Sequence, residues 1–242
     1  MFDLQKFLYL LHSNLKQPLN LNSSQLLTIK SGTSFNAFSQ KLVADKWIVN
    51  NFWLKIYTKI DTDLAKIKIG TYLITPNTNL LELLAQVVAG KEHQFTITFI
   101  EGSTLKQWVE QLNQHRYIKH TFSNELAKNW YSLVASELKL SMKHPEGLFF
   151  PDTYSFVNQT TDIEILRRAY QKMEHELEQA WSARLGGLPY ETPYQALIMA
   201  SIIEKESGKH AEHELISSVF VNRLNIGMRL QTDPTIIYGL GE

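Results

Sequence analysis

The chain has 242 residues, 44% of them hydrophobic, enough for one large domain or two modest ones with a real core, and this argues against wholesale disorder. Its 24 basic and 24 acidic residues cancel, so no basic surplus points to nucleic acid or to an anionic membrane surface, and the balance suits a neutral polymer such as a glycan. With no cysteine, disulfides, thiolate metal sites and a cysteine nucleophile are excluded.

The chain opens on Met1-Phe2-Asp3-Leu4-Gln5-Lys6-Phe7-Leu8-Tyr9-Leu10-Leu11, apolar but interrupted by Asp3 and Lys6. No segment reaches the roughly 18 apolar residues that a membrane span needs. The first charge is acidic and no small-residue cleavage site follows, so the segment lacks a signal-peptide layout. Residues 1–25 read as an amphipathic or linker segment; the alternative is that a genuine anchor lies upstream and is missing from this chain.

A recurring unit follows. Leu27-Thr28-Ile29-Lys30 reads as a strand, Ser31-Gly32-Thr33-Ser34 as a turn with a helix cap, and Phe35, Phe38 and Leu42 recur at helical spacing. Gly70-Thr71-Tyr72-Leu73-Ile74 leads through Thr75-Pro76-Asn77-Thr78 into a helix over residues 80–89, closed by Gly90. Phe95-Thr96-Ile97-Thr98-Phe99-Ile100 is a further strand, Glu101-Gly102-Ser103-Thr104 repeats the turn, and Leu105, Trp108 and Leu112 repeat the spacing. The repetition predicts small α+β units, not a long solenoid. Trp47, Trp53 and Trp108 fall within helical apolar patterns and are expected in the core.

From about residue 104 helix dominates. Residues 164–184 carry a long helical pattern ended by Gly186-Gly187. Thr192-Pro193 opens another helix, with the threonine as cap and the proline at the first position, and Gly208 closes it. Residues 211–224 form a third. Gln231-Thr232-Asp233-Pro234-Thr235 reads as a loop, and the chain stops at Tyr238-Gly239-Leu240-Gly241-Glu242, which does not resemble a natural domain end.

The helix opened by Thr192 carries the chemistry. At about 100° per residue, Met199, Ile202 and Ile203 lie within roughly 60° of Glu206, which falls at the middle of the apolar face. Glu204 points almost the opposite way, beside Leu197, Ala200 and Ser201. A carboxyl on an apolar face loses water, and loss of water favours its protonated form. A protonated carboxylic acid near neutral pH is what cleavage of a glycosidic bond needs. A glutamate at a helix end that simply reaches solvent is the alternative.

Ala200-Ser201-Ile202-Ile203-Glu204-Lys205-Glu206-Ser207, then Val219-Phe220-Val221-Asn222-Arg223-Leu224, then Gly227-Met228-Arg229-Leu230-Gln231-Thr232-Asp233-Pro234-Thr235-Ile236-Ile237-Tyr238-Gly239 resembles the signature of the endolytic murein transglycosylase, or YceG-like, family. Upstream, Glu146-Gly147-Leu148-Phe149-Phe150-Pro151-Asp152-Thr153-Tyr154, Glu101-Gly102 and Gly70-Thr71-Tyr72 also fit it. The resemblance runs from about residue 26 to the end. It implies an α+β chain: a LysM-like domain over residues 26–95, then a mainly helical, lysozyme-like catalytic domain over residues 96–242, truncated at its C-terminus.

It further implies a lytic transglycosylase that cuts the β-1,4 bond between N-acetylmuramic acid and N-acetylglucosamine within peptidoglycan strands and leaves 1,6-anhydro ends. Glu206 is then the catalytic residue. Ser207, Asn222, Gln231, Asp233, Tyr238, Asp152 and Tyr154 are the candidate substrate-binding residues. For Asn222, Gln231 and Asp233, loop and cap chemistry competes with sugar binding. Asp152 after Pro151 is also a turn former, while Tyr154 and Phe150 are able to stack on sugars. No cofactor and no metal are expected: His210, Glu212, His213 and Glu214 lack metal-ligand spacing and read as a solvated face. The implied partners are glycan strands and peptidoglycan synthases, with no nucleic acid. The implied location is a bacterial inner membrane, single-pass, with this region facing the periplasm or cell wall and its anchor missing here. A hydrolytic muramidase, which needs a second carboxylate for which Asp233 is the only nearby loop candidate, and a non-catalytic glycan-binding module are the competing readings.

Overall fold

The computed structural model describes residues 4–121, 130–140 and 144–240. The first three residues of the N-terminal segment and the final Gly241-Glu242 therefore lie outside the described residues. The architecture is α+β, and the chain divides into two compact units, 1–95 and 96–242. No helix of the described residues is long and apolar enough to cross a membrane.

In the first unit, helix α1 (Leu4–Leu15) precedes strand β1 (Gln25–Ile29). Helices α2 (Phe35–Ala44) and α3 (Phe52–Ile60) and a short 3₁₀ turn (Thr62–Ala65) lead to β2 (Gly70–Ile74), and helix α4 (Leu80–Ala89) follows. The strands β1 and β2 pair antiparallel, Gln25 opposite Ile74 and Ile29 opposite Gly70. Alternation puts Leu27 and Ile29 of β1 into one core with Phe38, Leu42, Leu54, Tyr72, Leu83 and Leu84. Ser34 caps α2 by accepting from the Ala37 N–H. The cap of α4 is Asn79, one residue after the Thr75-Pro76-Asn77-Thr78 turn. Asn79 accepts from Glu82 N at 3.0 Å and Glu82 reaches back to Asn79 N at 2.9 Å, a reciprocal cap, and left-handed Gly90 ends the helix. The hydroxyl of Tyr72, at the heart of this core, donates to the Lys68 carbonyl at 3.0 Å, and burial pushes its ionisation upward.

Helix α3 was not legible in the sequence beyond the pattern around Trp53. Trp53 lies in it, half-buried, its ring 6.0 Å from that of Phe7. Trp47 is buried as expected, but in the turn after α2, not on a helix.

In the second unit, strand β3 (Phe95–Thr98) pairs with β4 (Thr153–Phe156). The hydroxyls of Thr98 and Thr153 meet at 2.8 Å, and Phe99 N donates to the Asp152 carbonyl at 3.0 Å. Helix α5 (Leu105–Gln114) starts with Thr104 and Gln107 capping each other and buries Leu105, Trp108, Val109 and Leu112. The remaining helices are α6 (Trp130–Glu137), α7 (Asp162–Ser182), α8 (Pro193–Glu206), α9 (His210–Asn225) and α10 (Asp233–Leu240).

Two of these differ from expectation. Helix α7 stops at Ser182, before the glycine pair. There Arg184 folds back, donates to the Trp181 carbonyl at 2.7 Å and lies 3.7 Å over the Trp181 ring, so a side chain satisfies the helix end. Residues 233–235 belong to helix α10 and not to a loop. The missing N–H of Pro234 falls in the first turn, where helices have no partner for it, and the carboxylate of Asp233 suits the positive end of the helix dipole.

Candidate active site

Helix α8 begins at Thr192, whose hydroxyl accepts from Gln195 N at 3.2 Å, with Pro193 at the first position. Met199 and Ile202 are buried with Phe220 of α9, and Ile203, Ile216, Leu224 and Leu230 pack against them. The apolar face read from the wheel is therefore the packed face. Glu206 is the last residue of α8, however, and it is exposed; Glu204 is the half-buried one. The wheel assumes that the face continues, but the backbone turns extended at Ser207, so no further helical turn covers Glu206.

The three residues that end α8 look in different directions. Glu204 rests its side chain against Gly102, and its carboxylate lies 3.8 Å from His213 Nε2. A Cβ at Gly102, which has φ of +71°, would stand 3.4 Å from Glu204 Cγ. Lys205 donates to the Gly102 carbonyl. Both residues thus tie the helix end to the turn before α5. Glu206 faces the 231–233 segment, and the buried hydroxyl of Thr232 donates to its Oε2. Thr232 was not among the sequence candidates. Lying before Asp-Pro, it reads as a cap, and nothing local reveals a partner 26 residues away.

Gln231 and Asp233 flank Thr232, and both are exposed. Helix α10 packs on α8, where the Tyr238 hydroxyl lies 3.5 Å from the Ser201 carbonyl. Gln231 and Asp233 are thus chain neighbours of the residue that meets Glu206, while Tyr238 reaches α8 five residues before it. Ser207 adjoins Glu206 in the chain, but its hydroxyl donates to Glu212 at 2.7 Å and accepts from Lys209 N at 3.2 Å, which organises the entry to α9. The Ser207 hydroxyl, and then the Lys209 ammonium, whose Nζ donates to Glu212 Oε1 at 3.3 Å, lower the pKa of the Glu212 carboxyl. Of the histidines on the same helix, His213 meets the Ser207 carbonyl at 2.7 Å. Asn222 is exposed on α9.

Asp152 and Tyr154 each have partners within the fold. The Tyr154 hydroxyl donates to the Phe150 carbonyl at 2.6 Å, the ring is buried beside Phe99, and desolvation pushes its ionisation to about 12. Asp152 pairs with Lys172 of α7 and accepts from Thr153 N at 2.7 Å; the Lys172 hydrogen bond, then the Thr153 one, lowers its pKa. A lowered folded-state pKa stabilises the fold above the range in which an unfolded aspartate titrates, and that contribution is lost as pH falls through the lower folded value. Asp152→Asn is therefore expected to lower the unfolding temperature at neutral pH and to match the parent in strong acid. A gap that persists at low pH would remove the ion pair as its cause.

Three comparisons bear on these residues. The profile of the YceG-like family matches residues 27–242. A protein named endolytic murein transglycosylase from Bacillus subtilis (strain 168) is 28% identical, over 97% of this chain and 69% of its own length. One of the same name from Streptococcus pneumoniae serotype 2 (strain D39 / NCTC 7466) is 26% identical, over 93% of this chain and 45% of its own length, so the chain spans less than half of that relative. A crystal structure of a YceG-like protein from Listeria monocytogenes is 26% identical, with a TM-score of 0.49, over 92% of this chain and 77% of that one.

Proposed function

The chain belongs to the YceG-like family, and from that membership we propose that it is a peptidoglycan lytic transglycosylase with Glu206 as its single catalytic acid and base. The observation that carries the assignment is the orientation of Glu206. Its carboxylate meets Thr232, between the candidate residues Gln231 and Asp233, while Glu204 and Lys205 are turned to the Gly102 turn. The relatives named endolytic murein transglycosylase support the reaction class.

In this reading a glycan strand lies over α8 and the 231–233 segment, and by covering the exposed carboxyl it takes water away from it. Glu206 gives its proton to the oxygen joining N-acetylmuramic acid to N-acetylglucosamine. As a carboxylate it then takes the proton of the muramic C6 hydroxyl, whose oxygen closes on C1. A nucleophile within the substrate has a high effective concentration and outcompetes water in a covered site. One carboxylate suffices, whereas a hydrolase of the usual kind needs two. The first unit serves as a LysM-like domain over residues 26–95, preceded by the 1–25 segment, and residues 96–242 as a lysozyme-like catalytic domain. The setting is the outer face of the inner membrane, beside peptidoglycan synthases, with glycan strands as substrate and neither cofactor nor metal taking part.

The test is the product. Peptidoglycan digested by the protein in ¹⁸O-labelled water is expected to give fragments ending in 1,6-anhydro-N-acetylmuramic acid, lighter by one water than hydrolysis products and free of label. Reducing ends carrying the label would make the protein a muramidase and send the search for a second carboxylate to Asp233. Binding of strands without any cleavage would leave a glycan-binding module.

A further inference from the structure

Resting on the reading of Glu206 as the acid, we propose that Thr232 is a positioning residue that commits Oε2 of Glu206 and leaves Oε1 as the oxygen that carries the catalytic proton. Thr232 is only 6% exposed, and its hydroxyl donates to Oε2, the carboxylate oxygen for which a partner exists among the described residues.

The ordinary employment of a threonine before a helix is to cap it with the side chain. Thr232 does not do so. The N–H of Thr235 reaches the Thr232 carbonyl at 3.1 Å, and the Thr235 hydroxyl donates to that same carbonyl at 2.6 Å. The backbone of Thr232 thus serves the start of α10, and its hydroxyl is left over for Glu206. A glutamate at the exposed end of a helix otherwise samples several rotamers, and fixing one of its oxygens removes most of that freedom.

The segment that carries Thr232 is itself held. After α9 the chain reverses through Gly227, with Gly227 N donating to the Leu224 carbonyl at 3.0 Å and Met228 N to the Arg223 carbonyl at 2.7 Å. The side chain of the same Arg223 reaches forward and donates to the Leu230 carbonyl. Between that anchored carbonyl and the buried hydroxyl stands Gln231 with φ of 53°, a left-handed conformation that a non-glycine residue adopts only where its surroundings impose it. Arg223 and the turn at Gln231 together bring the Thr232 hydroxyl to the end of α8. Arg223 therefore acts on Glu206 through Thr232.

The chemical consequence is a division of labour within one carboxyl group. With Oε2 accepting from Thr232, the acid proton sits on Oε1. It passes to the glycosidic oxygen as the bond from that oxygen to C1 breaks. Oε1 then receives the proton of the C6 hydroxyl as the bond between O6 and C1 forms. Thr232 gains and loses no proton, so both steps leave its hydrogen bond in place, and removing it costs turnover and not affinity.

Steady-state kinetics on soluble, uncrosslinked glycan strands test this, with thermal unfolding recorded for every variant. Thr232→Val, which keeps shape and removes the hydroxyl, is expected to lower kcat by about tenfold to a hundredfold, the loss that misplacing a catalytic group brings. KM should stay within about twofold, because ground-state binding is untouched. Thr232→Ser should restore most of kcat. Arg223→Ala should lower kcat in the same direction, and the double variant should be no worse than the poorer single one. Unchanged kcat in Thr232→Val overturns the proposal, as does a serine variant as poor as the valine one, or a loss carried by KM. Should Thr232→Val fail to fold, Arg223→Ala leaves the buried position intact, and an unchanged kcat there has the same force. Activity retained by Glu206→Gln would instead overturn the reading of the site on which this rests.

Discussion

Glu206→Gln abolishes glycan cleavage while Glu204→Gln retains it: this is the expected outcome of the pair of substitutions at the end of α8. The size follows from what a general acid and base contributes, about 10²–10⁴-fold. Glutamine keeps the shape of Glu206 and its ability to accept from Thr232 through its carbonyl oxygen, so folding should be unaffected. Glu204 is not on the side of the 231–233 segment, and the loss of its charge near His213 touches a pair 3.8 Å apart and partly solvated, which contributes little. Release of soluble fragments from purified peptidoglycan, beside unfolding temperatures, decides it. An inactive Glu204 variant beside an active Glu206 variant would exchange the two roles.

The largest loss of stability is expected at Trp108. Its indole lies face to face on Phe99 at 4.0 Å with the planes 5° apart, its N–H donates to Ser103 Oγ at 2.7 Å, and only 4% of the residue is exposed. Trp108→Ala leaves a cavity between α5 and the end of β3 and strips Ser103 of its donor. It should cost about 3–5 kcal/mol, the usual range for removing a buried large aromatic. Trp108→Phe, which keeps the stacking and loses the N–H, should cost distinctly less. Denaturant unfolding monitored at both variants checks the order; an alanine variant within about 1 kcal/mol of the parent would show that the site collapses to fill the space.

What was legible in the sequence follows from range. The start of α8 could be read because a threonine, a proline and the N–H that the threonine accepts lie within four residues. The packed face of α8 could be read because Met199, Ile202 and Ile203 recur with the helical period. The exposure of Glu206 could not, since the wheel treats a helix as unending and the cover over its last turn depends on residues far along the chain. Strand β4 is hard to read because four residues after a Pro-Asp pair show too little alternation, although Tyr154 and Phe156 do point inward. Helix α10 was hidden by the same Asp-Pro chemistry that starts it. Thr232 was hidden for the most general reason: its partner is set by the fold and not by spacing. Asp152 and Tyr154 were legible as a distinctive segment, whereas the ion pair of one with α7 and the core hydrogen bond of the other were not, because those partners are set by the fold.

The end of α8 divides three tasks among three consecutive side chains, one resting on Gly102, one bonding its carbonyl and one meeting Thr232. Each residue of a helix advances the direction of its side chain by about 100°. Register is therefore what this helix guards. Inserting or deleting one residue between Thr192 and Glu204 would turn all three tasks together, sending the carboxylate that belongs beside Thr232 a third of a turn away while every residue type remained present. Substitutions along the exposed positions Tyr194, Gln195, Ile198 and Ala200 leave that phase untouched. Relatives that diverge freely in the composition of this helix should thus still agree in its length from cap to acid, a regularity of counting and not of chemistry.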